Sequence, residues 1–363
     1  MNTQNYLENN YKYDFYQNTY QNTIKPIISL HHPEINDELK KIADSKMSRL
    51  HTSDPIHDRI FHAAISRGQK DVVSFLMNQG VSTKALVNGI TPLYRACENN
   101  QLEIASLLIE NDPTLAHQKN DLSDYSLTHQ RLEFDKATPI EGAIKAGNLD
   151  LVKLLLNHGV PLDEKNDELR TNLYLAVKSS REEIALFFIE KGSKLEIMDR
   201  SCISLISLAV KNGCLKVVQE LVKRDISTNK IRNDFEDPLL MSAASKDSEL
   251  LKFLLTTDAK EHLNFNNSFY TPLKSAAING NLENVKILLD AGADPKATFY
   301  NNQTLIESVK EKLIELKKPL QSPSYGSIRT AEDRKLMEED NQNSIQKLQE
   351  VIDFIETHYL NLK

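Results

Sequence analysis

Apolar and polar positions in this chain alternate in blocks, and the blocks recur in phase. Thr138 to Gly159 reads TPIEGAIKAGNLDLVKLLLNHG, and Thr271 to Gly292 reads TPLKSAAINGNLENVKILLDAG. Each block predicts a first short helix, a tight turn, a second helix and an extended link. With the Thr of Thr-Pro as anchor, equivalent positions fall at Arg59, Thr91, Thr138, Thr171, Ser204, Asp237, Thr271 and Thr304. From Thr138 onward the step is 33 or 34 residues. A period of that size marks stacked supersecondary units.

The residue types at fixed offsets explain the unit physically. Pro92, Pro139, Pro238 and Pro272 follow the anchor, where a first helical turn loses nothing by lacking an N–H. The preceding Thr or Asp is a natural N-cap. Five residues after the anchor stands a small residue (Ala64, Ala96, Ala143, Ala176, Ala209, Ser242, Ala276), which lets neighbouring first helices approach closely. Nine after it, Gly68, Gly147, Gly213 and Gly280 suit the positive φ of the inter-helix turn, while Asn100, Ser180 and Lys246 predict less favourable turns. Seventeen after it come Leu76, Leu108, Leu155, Phe188, Leu221, Leu254 and Leu288, a ladder for the buried face of the second helix. The second helices end at Gly80, Gly159, Gly192 and Gly292, with Asp112, Asp225 and Asp258 in the same place elsewhere.

This pattern, T-P-L-x-x-A-x-x-x-G-x-x-x-x-V-x-x-L-L-x-x-G, resembles the ankyrin repeat. The resemblance covers about residues 57–303 in seven units, with a partial eighth after Thr304. It implies an all-α ankyrin-repeat solenoid of about seven helix-turn-helix units with N- and C-terminal helical caps. The expected division is 1–56 as an N-terminal arm and capping helix, 57–303 as the repeats, and 304–363 as a C-terminal helical cap or extension. An insertion, 111–137, lengthens one step by about 14 residues; it predicts a hairpin tip, a short helix or a tolerated loop.

Outside the repeats, residues 1–30 carry Tyr6, Tyr11, Tyr13, Phe15, Tyr16 and Tyr20 among Asn and Gln, consistent with an arm packed on the first repeat or a tyrosine-bearing recruitment segment. Pro33 to Met47 reads as a helix with Ile35, Leu39 and Ile42 on one face, placed to cap the first repeat. Near the other end, Ile345, Leu348, Ile352, Ile355 and Tyr359 form an apolar stripe on a helix expected from about Ala331 to Leu360. The stripe fits a C-terminal cap or a coiled-coil seam.

Charge and cysteine content narrow the function. A net charge of −7 without a long basic run disfavours non-specific nucleic-acid binding. Three cysteines (Cys97, Cys202, Cys214) without CxxC spacing suit a reducing compartment. No apolar stretch is long enough for a membrane span, and the first residues lack a secretory-signal profile. The expectation is therefore a cytoplasmic protein and a monomer.

No catalytic constellation stands out: G-x-S-x-G, G-x-x-x-x-G-K and H-E-x-x-H are all absent from the sequence. No cofactor or metal is expected. His31-His32 reads as a surface pair, and His62 falls where the ankyrin pattern often carries a structural His. Glu182-Glu183 reads as solvated charge at a helix start.

Ankyrin repeats bind proteins through the hairpin fingertips and the inner face of the first helices, so the resemblance implies a protein partner there. Seven after the anchor, Lys145, Lys178 and Lys211 form a candidate basic ladder for an acidic surface, with the fingertip acids Asp167, Glu168 and Asp199 nearby. Phe265, Phe269, Tyr270, Phe299 and Tyr300 make the later fingertips aromatic, a composition typical of interface anchors. These residues predict a non-enzymatic scaffold binding a partner on its concave face and fingertips. The Lys/Asn-rich composition and degenerate repeats are also similar to ankyrin-repeat effectors that intracellular bacteria deliver into host cells, which would place the partner in a host. Two other classes stay open: an enzyme with a site built by the terminal extensions, and a homo-oligomer through the last helix.

Overall fold

The structure is a computed structural model that describes residues 56–121, 136–166, 169–197, 203–228, 242, 244, 247–266, 268–318 and 331–360. The expected capping helix at 33–47, the tyrosine-rich arm, His31-His32, Cys202, Lys246 and the acids Asp167, Glu168 and Asp199 lie outside the described residues. Among those described, all regular structure is helical, and β-pairing is confined to the isolated bridges Val87–Ile90, Lys165–Thr171 and Thr298–Thr304. Two compact units divide the chain, one ending at Glu164 and one beginning at Lys165.

The first unit contains three helical pairs: α1 (Ile56–Ser66) with α2 (Lys70–Asn78), α3 (Pro92–Glu98) with α4 (Leu102–Asn111), and α5 (Pro139–Ala146) with α6 (Leu149–Asn157). First helices pack on first helices, α1 on α3 and α3 on α5, and second on second. The small position makes this possible: Ala64, Ala96 and Ala143 are wholly buried. Gly142 goes further. A Cβ there would lie 3.3 Å from the Tyr94 carbonyl oxygen, so the α3 and α5 backbones meet with no room for a side chain. Thr91 caps α3 by accepting from the Tyr94 N–H, but Thr138, in the same position, makes no side-chain cap bond.

The second unit repeats the arrangement with α7 (Asn172–Lys178) and α8 (Glu182–Glu190), α9 (Leu205–Lys211) and α10 (Leu215–Lys223), α11 (Ser248–Leu254), and α12 (Pro272–Ile278) and α13 (Leu282–Asp290). Ser242 and Ala244 are helical and precede α11, in register with a first helix. The ladder holds in both units: Leu108, Leu155, Phe188, Leu221, Leu254 and Leu288 are fully buried and Leu76 is nearly so. Each such side chain contributes about 2–3 kcal/mol of apolar burial. Glu182, expected as plain solvated charge, accepts from the Lys216 N–H at 2.8 Å and so serves the first turn of the neighbouring α10.

Most of the turns keep the expected geometry, and two helix ends depart from it. Asn100 and Ser180 keep the left-handed conformation that glycine would supply, with φ of 63° and 53°. At the second-helix ends, Asp225 is left-handed as expected, with φ of 61°. Asp112 instead is extended and caps a 3₁₀ turn, Pro113–His117, through its bond from the Thr114 N–H. Asp258 opens another 3₁₀ turn, Asp258–His262, and accepts from Ser227 and Thr228 of the preceding link. A carboxylate accepts hydrogen bonds from nearby N–H and O–H groups, and here that local bonding replaces the helix-capping role. The Pro113–His117 turn forms the start of the 111–137 insertion. Beyond it, the Asn120 N–H donates to the Ala137 carbonyl at 2.9 Å and the Asn120 side chain accepts from the Thr91 N–H, closing the insertion at its base. Residues 122–135 lie outside the described residues.

After Thr304, α14 (Leu305–Lys317) starts with a capping box in which Thr304 and Glu307 satisfy each other's backbone N–H. It is followed by α15 (Ala331–Ile355), which packs on α14, α13 and α12. Leu348, Val351, Ile352 and Ile355 are buried. The apolar stripe is thus consumed within the unit as a C-terminal cap, which removes it as an exposed coiled-coil seam. The helix gives way to a π turn over Glu356–Leu360.

Gly280 shows how closely the cap is seated. Its φ is +68°, and an added Cβ would lie 2.8 Å from the Lys347 Cβ of α15. Gly213 has the same role and φ of +70°, with nothing within 4 Å. Gly213→Ala should therefore cost only the left-handed strain of about 1–2 kcal/mol, and Gly280→Ala should cost more because α15 must also move. Urea unfolding of the two variants checks this; equal losses would contradict the close seating of α15.

Candidate functional site

The second unit carries the site. The links before α12 and before α14 lie side by side: the Tyr300 N–H donates to the Ser268 carbonyl at 2.7 Å, and the Asn266 side-chain amide donates to the Thr298 carbonyl. Phe269 occupies the place of a usual turn glycine, and the left-handed residue is Ser268, at φ 71°. Moving the left-handed position back by one residue lets a bulky side chain stand at the tip.

Three of the predicted aromatic residues are exposed at this tip: Phe269 (50%), Tyr270 (42%) and Tyr300 (64%). Phe269 and Tyr300 stack with ring centroids 5.7 Å apart and planes at 19°, within the range of an offset aromatic pair. Phe299 is different. It is 6% exposed, so it is not a surface anchor; it forms the floor beneath Lys274, whose ammonium sits 4.0 Å above its ring centroid. The same ammonium lies 5.7 Å from the Tyr270 ring. Phe265, at the start of the link, is half-buried and stacks on His262.

Lys274 is the residue that sequence reasoning missed. It stands three after its anchor, in register with the buried His62, Tyr94 and Tyr174 of other repeats. His62 there bonds the Ala85 carbonyl at 2.9 Å, the structural role expected of it. The same position holds Glu141, Ser207, Leu240 and Glu307 in the remaining repeats, so residue type at this offset carried no signal. Burial lowers its pKa from the ordinary lysine value, and the negative charge of Glu311 acts in the opposite direction.

A pocket of about 640 Å³ opens beside these groups, lined by Phe269, Lys274, Phe299, Tyr300, Gln303, Glu307 and Glu311 among others. Glu307 accepts from the Thr304 N–H and hydroxyl through Oε2, and those bonds hold its carboxyl below the usual range. Glu311 accepts from the Gln303 amide, also through Oε2.

The lysine ladder is placed in part. Lys178 and Lys211 are exposed at the ends of α7 and α9, which pack together in the second unit, and the Asn212 amide ties the two ends by donating to the Val177 carbonyl. Lys145 is half-buried on α5 of the first unit.

Among the described residues no group of three or more His, Cys, Asp or Glu could hold a metal ion. Cys97 and Cys214 are buried free thiols; burial pushes the Cys214 thiol up to about 11, assisted by Glu182, and raises that of Cys97 as well. Neither has the lowered pKa of a nucleophilic cysteine.

Helical pairs in sequence, first helices packed on first helices and second on second within a unit, define a helical-repeat protein. The family model for ankyrin repeats in three copies matches residues 33–120, 114–199 and 206–298. The chain belongs to the ankyrin-repeat family, a general protein–protein interaction fold. Its curated relatives include ankyrin repeat and SOCS box protein 11 of Homo sapiens, 26% identical over 155 residues, or 42% of each protein. Transient receptor potential cation channel subfamily A member 1 of Homo sapiens is 27% identical over 166 residues, 43% of this chain and 15% of that protein. Ankyrin repeat and SOCS box protein 3 of Homo sapiens is 33% identical over 103 residues, 28% of this chain and 20% of that protein. The chain thus spans no more than 42% of the length of these relatives. Among solved structures, the human ASB11 ankyrin repeat domain is similar at 18% identity and a TM-score of 0.41, covering 72% of this chain and 98% of that one. Among the described residues no helix is long and apolar enough to cross a membrane.

The Lys274 environment gives a pH prediction. A lysine pKa that is lower in the folded than in the unfolded chain makes stability rise with pH between the folded value and the ~10.4 of an unfolded lysine. NMR titration of the lysine Cε resonances should find Lys274 below the exposed lysines. Glu311→Gln should lower it further, because the Glu311 charge holds it up. A Lys274 value at or above that of exposed lysines would contradict the geometry.

Proposed function

We propose that this chain is a non-enzymatic protein-interaction module whose partner seats on the aromatic tip of the second unit and along the adjoining first helices. The observation that carries this is the exposure of three large aromatic side chains at one tip, beside a pocket. Exposed Phe and Tyr on a soluble protein are costly to leave in water and are enriched where partners bind. The Phe269 and Tyr300 rings are held by stacking on each other and by the backbone bond between the two links, so little of their side-chain freedom is lost on binding.

Lys178 and Lys211 extend the surface along the first helices of the same unit. Exposed rim lysines act on association rate more than on affinity, so an acidic flank of the partner would be steered toward them. Lys145 has the same register in the first unit and is assigned the same role there. The buried, free Cys97 and Cys214 are compatible with a reducing, cytoplasmic setting.

Selection of a random peptide-display library on the full chain tests this function. The expected result is a set of peptides whose binding falls at least about tenfold, roughly 1.4 kcal/mol, on the double substitution Phe269→Ala with Tyr300→Ala. Lys178→Glu with Lys211→Glu should slow association with acidic peptides. Unchanged circular dichroism and melting temperature would show that the variants fold. Failure to select any peptide, or selected peptides indifferent to the tip substitutions, would overturn the proposal.

A further inference from the structure

We infer that the pocket at this tip recognises a cationic side chain of the partner, an arginine in preference to a lysine. The inference rests on the interaction surface proposed above and specifies its chemistry.

The pocket already places one cation against aromatic faces. The Lys274 ammonium is held over Phe299 at 4.0 Å and lies 5.7 Å from Tyr270, an arrangement in which ring faces carry the negative end of the quadrupole. The outer wall is the stacked Phe269–Tyr300 pair, whose rings present half-exposed or more exposed surface to solvent. Two carboxylates, Glu307 and Glu311, line the same pocket against one lysine, so its charged lining sums to −1. In each glutamate the bonds described above go to Oε2, so Oε1 takes no part in them.

A flat aromatic face next to carboxylate oxygens matches a guanidinium. That group is planar, stacks on rings and offers several N–H donors in one plane, whereas an ammonium is a compact, strongly hydrated point charge. A carboxylate ligand is the opposed case, since it could pair with Lys274. It would have to do so in a pocket with two glutamates, where like charges are repelled, and toward an ammonium already covered on one side by Phe299. The balance of charge in the lining favours the cation.

The test uses the full chain carrying 3-fluorotyrosine at its 12 tyrosines. Tyr300→Phe identifies the Tyr300 resonance in the fluorine NMR spectrum. The probes are N-acetyl-arginine, N-acetyl-lysine and N-acetyl-glutamate methylamides. Arginine methylamide should shift Tyr300 saturably, about threefold or more tighter than the lysine probe, with the glutamate probe weakest. Glu311→Gln should weaken the arginine probe by a similar factor, about threefold. Lys274→Met should leave it unchanged or tighten it, because a competing positive charge is removed. Tighter binding of the glutamate probe, loss of arginine binding in Lys274→Met, or equal arginine and lysine binding would overturn the inference. If no probe moves Tyr300 while display-selected peptides still depend on it, the arginine inference fails and the interaction surface stands. If selected peptides ignore Tyr300, the surface itself fails.

Discussion

The constraint on which everything else depends is that no helical pair here can bury its own apolar face. Each pair is two short helices of about two turns, too short to be stable alone in water. Burial comes from the next pair. Alanine at the small position lets first helices touch, and the leucine ladder fills the space between second helices. Stability in such an arrangement is a sum of repeat terms and nearest-neighbour terms. The same arrangement leaves part of each link outside the core: Val87, Ile197 and Phe299 are buried, while Phe269, Tyr270 and Tyr300 are exposed and released for other uses.

The C-terminal cap follows from the same constraint. A last repeat exposes an apolar face, and α15 covers it with Leu348, Val351, Ile352 and Ile355. Gly280 allows the approach by having no Cβ to meet Lys347. The tip chemistry then depends on the repeats beneath it. Lys274 and Phe299 meet only because α12 and α14 are held side by side, and Glu311 lines the pocket from the seventh position of α14, the register that Lys178 and Lys211 occupy on α7 and α9.

The fold was legible because its determinants are local and periodic. Proline after the anchor, alanine five on and leucine seventeen on each state a local requirement, and each recurs often enough to set the register. The turns were legible in kind: Asn100 and Ser180 keep the glycine conformation. Asp112 and Asp258 were not, because a carboxylate has more than one use and only the surrounding Thr114, Ser227 and Thr228 donors decide which. The site was half legible. Phe269, Tyr270 and Tyr300 announced an aromatic tip by composition. The burial of Phe299 and the seat of Lys274 arise between two links 30 residues apart in sequence, Tyr270 to Tyr300, and no residue pattern within either link encodes their meeting.

The most direct test of the account is hydrogen exchange on Leu288→Ala. Leu288 is wholly buried on α13, between α11 and the α15 cap. If neighbours hold each repeat, the substitution should cost about 2–5 kcal/mol and lower protection in α12 and α13, in the flanking α11, α14 and α15, and at the tip residues 268–270. A loss below about half a kcal/mol, or lost protection confined to α13, would contradict the stacked-repeat account.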